Sequence, residues 1–177
     1  MTSASTRRTW LFGGVAALAA AAGAGGAFWH RRGPATGAET LGDDFWTRKF
    51  ERPEGGELAF ESLRGKPLLI NFWATWCPPC IEEMPMIDAF FRENAANGWQ
   101  VIGLAVDQPS AVRKFLAKTP VTYPIGLAGL DGTELVMKLG NTKGGLPFTF
   151  VIDAEGGVTA RKMGKLEPGD LQSWRRA

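Results

Sequence analysis

Residues 67–80 read PLLINFWATWCPPC and decide the fold class of this 177-residue chain. Pro67 to Trp73 is an apolar run interrupted by a single amide, which is typical of a strand buried on both faces. After Cys77, apolar residues recur at helical spacing as far as Phe91, and the two prolines fall in the first turn, where a missing N–H group is tolerated. The stretch therefore predicts a buried strand that leads into a helix at the cysteines.

Further strands and helices alternate with this unit. The patterns predict strands over 100–106, 148–152 and 158–163, and helices over about 110–117 and 167–176. Residues 153–157 have the composition of a hairpin turn between the last two strands. Strands that alternate with helices and finish in a hairpin favour an α/β three-layer fold, with a mixed central sheet flanked by helices.

The first 32 residues differ in composition from the rest. They contain four arginines and no acidic residue, so the formal net charge of +2 combines a basic leader with a mildly acidic remainder. Residues 10–29 are uncharged and just long enough to cross a hydrocarbon core of ~30 Å. We expect residues 1–32 to be either a cleaved signal peptide of the twin-arginine kind or a single-span membrane anchor. A buried helix of a soluble protein is disfavoured, since the domain would have to enclose it completely.

The remainder divides into a linker and one domain. Residues 33–45 are rich in glycine and polar side chains, which predicts a flexible linker. Residues 46–177 have the composition of one packed domain, large enough to bury a core without disulfide or metal staples.

The chain has only two cysteines, Cys77 and Cys80, and they lie at the predicted strand–helix junction. The unpaired N–H groups and partial positive charge of a helix N-terminus stabilise a thiolate and lower its pKa. We therefore assign the attacking role to Cys77, at the start of the helix. Cys80, one turn further on, can resolve a mixed disulfide. The pair would act as a redox-active disulfide, with no other cofactor and no metal.

Other classes of function are less well supported by the sequence. Two cysteines and one histidine are too few for a structural zinc site, and the near-neutral charge gives no basis for nucleic-acid binding. An inert disulfide over so short a loop would constrain the unfolded chain little. The alternatives that remain open are an oxidising thiol–disulfide exchanger, a Cu(I)-binding thiol module and, less favoured, a thiol peroxidase.

Residues 71–85 (NFWATWCPPCIEEMP) resemble the TlpA/ResA branch of thioredoxin-like proteins, which are related to redoxin domains. Residues 145–153 (GLPFTFVID) are similar to the cis-proline segment of that family, and the resemblance covers roughly residues 55–165. It implies a thioredoxin-like fold in which Pro147 lies across the site from the cysteines, after a cis Leu146–Pro147 bond. It also implies an extra strand–helix insertion within residues 108–143.

The resemblance also implies a function and a location. Members of this branch are exported or membrane-tethered thiol–disulfide oxidoreductases of bacteria. The chain is therefore expected on the periplasmic side of the inner membrane, held by the N-terminal helix if that helix is uncleaved, or free in the periplasm. There it would reduce an extracytoplasmic client protein and be recharged by an upstream membrane thiol reductase.

Two polar positions near the cysteines differ from thioredoxin or extend its pattern. Asn71 replaces the buried acid of thioredoxin and cannot accept a proton, so we expect it to cap a backbone group. Glu83 lies nearly one turn after Cys80 and is a candidate proton relay for it; the alternative is a solvated helix face. Glu82 is expected at the surface.

The remaining site residues surround the cysteine pair. We expect Trp73 in the core, Trp76 at a rim that faces the substrate, and Pro78 and Pro79 between the cysteines. Leu146 would present backbone groups to the substrate.

Overall fold

The computed structural model describes residues 39–175. The leader predicted over 1–32 and the first part of the predicted linker lie outside the described residues. In the part of the chain that the structure describes, no helix is long and apolar enough to span a bilayer.

The described chain forms seven strands, five α-helices and two 3₁₀ turns. In chain order these are α1 (Asp43–Trp46), β1 (Lys49–Glu51), β2 (Glu57–Ala59), a 3₁₀ turn (Phe60–Leu63), β3 (Leu68–Trp73), α2 (Pro78–Asn94), a 3₁₀ turn (Ala95–Asn97), β4 (Gln100–Ala105), α3 (Pro109–Leu116), β5 (Ile125–Leu127), α4 (Gly132–Lys138), β6 (Phe148–Ile152), β7 (Val158–Met163) and α5 (Pro168–Trp174).

One mixed sheet contains all seven strands, in the order β2-β1-β5-β4-β3-β6-β7. The central strand β3 runs parallel to β4 and antiparallel to β6, and β4 runs parallel to β5. The α/β fold with a mixed sheet is therefore confirmed, and the predicted strands and helices are found within a few residues of their expected bounds. The sequence reading missed β1 and β2, because strands of three residues are too short to show a period.

Side chains alternate strictly across β3 and β6, so the sheet has two different faces. One face, which we call the α4 face, packs against the N-terminal segment and α4. The side chains of β3 and β6 on this face are Leu68, Ile70, Phe72, Phe148, Phe150 and Ile152. The opposite face, which we call the α2 face, packs against α2, α3 and α5. The side chains of β3 and β6 on this face are Leu69, Asn71, Trp73, Thr149 and Val151. Helices thus cover both faces, which makes the three predicted layers.

The segment between β4 and β6, where the strand–helix insertion is expected, contains α3, β5 and α4. β5 extends the parallel part of the sheet, with Leu127 paired to Ala105 of β4. Gly126 permits this packing, since a Cβ atom there would lie 2.9 Å from Leu104 Cδ2 and 3.0 Å from Phe50 Cβ. The insertion therefore carries the edge to which β1 and β2 attach.

The packed domain begins earlier than the predicted boundary at residue 46. The Leu41 N–H group donates to Gly156 O (3.2 Å), and the Val158 N–H group donates to Glu39 O (2.8 Å). Phe45 is buried, with its ring centroid 5.1 Å from that of Phe60. Residues 39–45, expected within a flexible linker, therefore pack on the domain. The polar composition concealed this, because only two apolar side chains, Phe45 and Leu41, pack on the core. Backbone hydrogen bonds and the ion pairs of Asp43 with Arg64 and of Glu39 with Arg161 hold the rest.

Candidate active site

Cys77 and Cys80 form a disulfide at the N-terminus of α2, with their Cα atoms 5.3 Å apart. Cys77 is the N-cap residue of that helix, and its carbonyl oxygen accepts hydrogen bonds from the N–H groups of Cys80 (3.1 Å) and Ile81 (3.2 Å). The first helical turn contains no acidic side chain. A Cys77 thiolate would therefore lie at a helix end whose partial positive charge is not neutralised locally.

The two cysteines are both buried but differ slightly in exposure. Cys77 is 4% exposed, whereas Cys80 is fully buried. Trp76 is 67% exposed and Pro78 is also at the surface, so the residues that flank Cys77 face outward, as expected of a rim. The geometry favours Cys77 as the sulfur that an incoming partner reaches.

Asp107 holds the loop that leads to the cysteines. Its Oδ2 accepts hydrogen bonds from the backbone N–H (2.8 Å) and the hydroxyl (2.5 Å) of Thr75, and its Oδ1 accepts one from the Gln108 N–H group (2.6 Å). Trp73 pairs with Ala105 in the sheet, so the carboxyl ends of β3 and β4 lie together. The sequence reading missed Asp107; its signal was an acid directly after a buried strand.

The peptide bond between Leu146 and Pro147 is cis, as the family resemblance implied. Phe148 pairs with Phe72, which places Pro147 at the edge of the sheet where the Cys77 loop begins. The Asn141 amide donates to Gly145 O (2.7 Å), and the Gly164 N–H group donates to Pro147 O (2.9 Å). Both sides of the cis-proline segment are therefore held.

Glu83 is buried beneath the site rather than solvated. It is 1% exposed; its Oε1 accepts a hydrogen bond from Asn71 Nδ2 (2.7 Å) and its Oε2 accepts one from the Leu166 N–H group (2.7 Å). Burial raises the pKa of the Glu83 carboxyl, and these hydrogen bonds with the charge of Lys165 oppose the rise. The solvated-face alternative is therefore wrong.

Asn71 does not cap a backbone group, so that expectation was also wrong. Its Nδ2 donates to Glu83 and to Thr149 Oγ1 (3.1 Å), while its Oδ1 is buried without a hydrogen-bond partner in the described structure. The reason is positional: Asn71 lies in the middle of β3, where the sheet satisfies the backbone and the side chain faces α2. Asn71, Glu83 and Thr149 form a buried polar group that we call the Glu83 triad.

The two remaining predictions near the cysteines are confirmed. Glu82, next to Glu83, is exposed, and its Oε2 lies 2.6 Å from Lys165 Nζ. Trp73 is fully buried, with its ring centroid 5.5 Å from that of Phe115.

The exposed large apolar side chains of the described chain gather at this edge of the sheet. They are Trp76, Leu130, Met137 and Met163. Leu130 follows β5, and Met163 pairs with Phe148 at the end of β7. Met137 lies close to Gly144, since its Sδ would be 3.8 Å from a Cβ atom at that glycine. These four exposed side chains form an apolar rim at the edge of the sheet where Cys77 lies. Residues 39–175 hold no cluster of three or more His, Cys, Asp or Glu side chains suited to a metal ion.

Comparisons with known proteins agree with this geometry. The family model for Redoxin matches residues 42–175. Thiol-disulfide oxidoreductase ResA of Bacillus cereus is 30% identical over 122 residues, or 68% of each chain, and that of Geobacillus kaustophilus is 32% identical over 120 residues, or 67% of each. The crystal structure of a thiol:disulfide interchange protein, a thioredoxin family protein from Chlorobium tepidum TLS, superposes with a TM-score of 0.63 at 30% identity, covering 73% of this chain and 90% of that one. The chain belongs to the redoxin family, and it is a thiol–disulfide oxidoreductase with a thioredoxin-like fold.

Proposed function

We propose that this oxidoreductase is exported or membrane-anchored, and that it reduces disulfides of extracytoplasmic proteins on the periplasmic side of a bacterial inner membrane. The observation that carries the chemistry is the Cys77–Cys80 disulfide at the N-terminus of α2, with Glu83 buried beneath it. The basic leader and its uncharged stretch of 20 residues support the location.

The reaction proceeds through a mixed disulfide. An upstream membrane thiol reductase supplies two electrons and two protons, which convert the Cys77–Cys80 disulfide to two thiols. The Cys77 thiolate attacks one sulfur of a client disulfide, so that a mixed disulfide forms and the other client sulfur leaves as a thiolate. Cys80 then attacks the Cys77 sulfur, which restores the enzyme disulfide and releases the client as a dithiol.

The different environments of the two cysteines support the two proposed roles. Cys77 gains the helix-terminal N–H groups and the greater access to solvent, both of which favour a reactive thiolate. Cys80 is buried, and burial disfavours its ionisation until a base takes its proton. Glu83 is that base in our proposal, because a carboxyl with a raised pKa can hold a proton nearer neutral pH than an exposed one.

The apolar rim supports a polypeptide client rather than a small disulfide. A client segment that brings its disulfide to Cys77 would cover the neighbouring Trp76, and the other exposed apolar side chains offer that segment further contacts. Two of the four rim side chains are methionines, whose flexible thioethers adapt to different apolar partners.

The chemistry is tested by replacing each cysteine separately. We expect Cys77→Ser to abolish dithiol-dependent insulin reduction, and normal activity in that variant would contradict the proposal. Cys80→Ser should instead accumulate mixed disulfides on Cys77, and mass spectrometry of the trapped species identifies the client. The double variant is the control, since it should trap nothing.

The direction of electron transfer is tested by the reduction potential of the pair. A potential of about −270 mV supports a reductant, whereas one of about −120 mV indicates an oxidant. Equilibration with glutathione buffers, read by the mass of alkylated Cys77 and Cys80, measures it.

The location is tested on the intact chain in a bacterial host. A Cys77-reactive probe that does not cross the inner membrane should label the protein in whole cells. Fractionation then separates an anchored form from a released one, and Arg7→Lys with Arg8→Lys tests the twin-arginine route. Labelling only after lysis would contradict an extracytoplasmic site.

A further inference from the structure

The buried end of Asn71 is the most unusual polar feature of the α2 face. Its Oδ1 lacks a hydrogen-bond partner in the described structure, although its Nδ2 donates to both Glu83 Oε1 (2.7 Å) and Thr149 Oγ1 (3.1 Å). Buried acceptors are nearly always satisfied in folded proteins, so an unpaired one on a side chain that also contacts a titratable carboxyl calls for an explanation.

The observed hydrogen bonds suit the ionised form of Glu83. Both carboxyl oxygens accept from donors, Oε1 from Asn71 and Oε2 from the Leu166 N–H group at 2.7 Å. A protonated carboxyl carries an O–H donor and needs an acceptor. The Leu166 donor belongs to the backbone and cannot become an acceptor, whereas the Asn71 amide can, so a proton on Oε1 would find an acceptor there only if that amide turned.

We propose that Asn71 is a positioning residue whose side-chain amide turns by half a rotation when Glu83 takes up a proton, so that Oδ1 replaces Nδ2 against Glu83 Oε1. The proposal rests on the proton-relay role of Glu83 given above. The proton leaves the Cys80 thiol, which becomes the attacking thiolate, and ends on Glu83 Oε1, where Asn71 Oδ1 accepts it in a hydrogen bond.

Thr149 allows the rotation because its hydroxyl both donates and accepts. In the observed state Thr149 Oγ1 accepts from Asn71 Nδ2. In the rotated state the Thr149 hydroxyl donates to Asn71 Oδ1 instead. The amide oxygen and nitrogen are close in size, so packing hardly changes, and each state leaves one end of the amide without a partner.

In our proposal, only Asn71 exchanges a donor for an acceptor when Glu83 is protonated, and the other ionisable groups around Glu83 do not. They are Cys80 on the same helix, Lys165 in the loop before α5 and Tyr123 in the segment before β5. Lys165 is paired with Glu82 at the surface. Burial raises the pKa of Tyr123, so its side chain stays neutral throughout.

The test is an NMR titration of the full chain in its disulfide form, with isotope labels in Glu and Asn side chains. We expect the Asn71 Cγ and Nδ2 resonances to shift with the same midpoint as Glu83 Cδ, and the amide protons to approach the values of an amide without a charged acceptor. Asn94 is the internal control, because it is buried and its Nδ2 donates to Phe90 O (2.8 Å), away from Glu83. Asn71 resonances that remain as constant as those of Asn94 would overturn the proposal.

Asn71→Ala gives an independent readout. A side chain that only donates stabilises the carboxylate, so its loss would raise the Glu83 midpoint by more than about half a pH unit. If the Asn71 side chain hydrogen-bonds both forms of Glu83, its removal costs each form one hydrogen bond. We therefore expect the Glu83 midpoint to change by less than about half a pH unit. If Asn71→Ala does not fold, the wild-type titration decides alone.

Failure of this proposal is distinguishable from failure of the relay. Glu83→Gln tests the relay through the pH dependence of Cys80 alkylation in the reduced protein. An unchanged Cys80 profile would remove the relay, whereas the amide titration in the disulfide form reports on Asn71 alone.

Discussion

The two faces of the central sheet are built from the same strands but solve different problems. On the α4 face, β3 and β6 present only apolar side chains, and Phe45, Phe60, Phe148 and Phe150 fill the layer. On the α2 face, the same strands place Asn71 and Thr149 against Glu83. The α4 face contributes stability through packing. The α2 face contributes less, because it buries a titratable group beneath the cysteines.

The largest expected effect comes from a cavity on the α4 face. Phe60→Ala removes a fully buried ring that packs 5.1 Å from both Phe45 and Phe50. We expect the free energy of unfolding to fall by about 3–5 kcal/mol, measured by chemical denaturation. Activity per folded molecule should be retained, because Phe60 lies on the face away from α2; a loss below about 1 kcal/mol would show that the N-terminal segment is not part of the core.

A smaller effect is expected where the two parallel strands end. Asp107→Ala leaves the Thr75 and Gln108 N–H donors unpaired, which costs about 1–3 kcal/mol. Insulin reduction should also slow, since the loop before Cys77 loses its anchor. Thr75→Ser is the matched control, because it keeps the hydroxyl that Asp107 binds, and equal slowing in both variants would contradict the anchoring role.

The α2 face should give stability an additional pH dependence. Because the pKa of Glu83 is raised in the folded protein, its contribution to stability is fully present below its ordinary value of 4.5 and is lost as pH rises through the raised pKa. A rise of one in the pKa of a group corresponds to about 1.4 kcal/mol in the free energy of unfolding. Glu83→Gln should remove this decline, which unfolding curves at several pH values measure; an identical slope in the two proteins would refute it.

The smallest effect is expected at Tyr123, also on the α2 face. Its hydroxyl is buried and has no hydrogen-bond partner in the described structure. Tyr123→Phe removes an unsatisfied group, so we expect the free energy of unfolding to change by less than about 1 kcal/mol, towards greater stability. A clear destabilisation in thermal or chemical unfolding would show that the hydroxyl is hydrogen-bonded in solution.

Sequence reasoning succeeded where a signal was local and failed where it was not. The strand before Cys77, the helix after it and the closing hairpin each have their own period or turn residues, and all are found. Residues 39–45 were assigned to a linker because their composition is polar, yet Phe45 is buried in the core, Leu41 packs against it, and backbone hydrogen bonds of residues 39 and 41 join the segment to the hairpin. Asp107 escaped notice because its partner Thr75 lies 32 residues away in the chain.

The sequence by itself determined the reactive pair, because the cysteines, the strand before them and the helix after them are contiguous. It also placed Glu83 near Cys80, since three residues make almost one helical turn. Only the tertiary structure decided that Glu83 points inward. The residues that enclose it arrive from elsewhere: Thr149 joins Asn71 from 78 residues away and the Leu166 N–H group joins Glu83 from 83 residues away. Burial and hydrogen bonding depend on such distant neighbours, and these neighbours make the carboxyl a candidate base for Cys80.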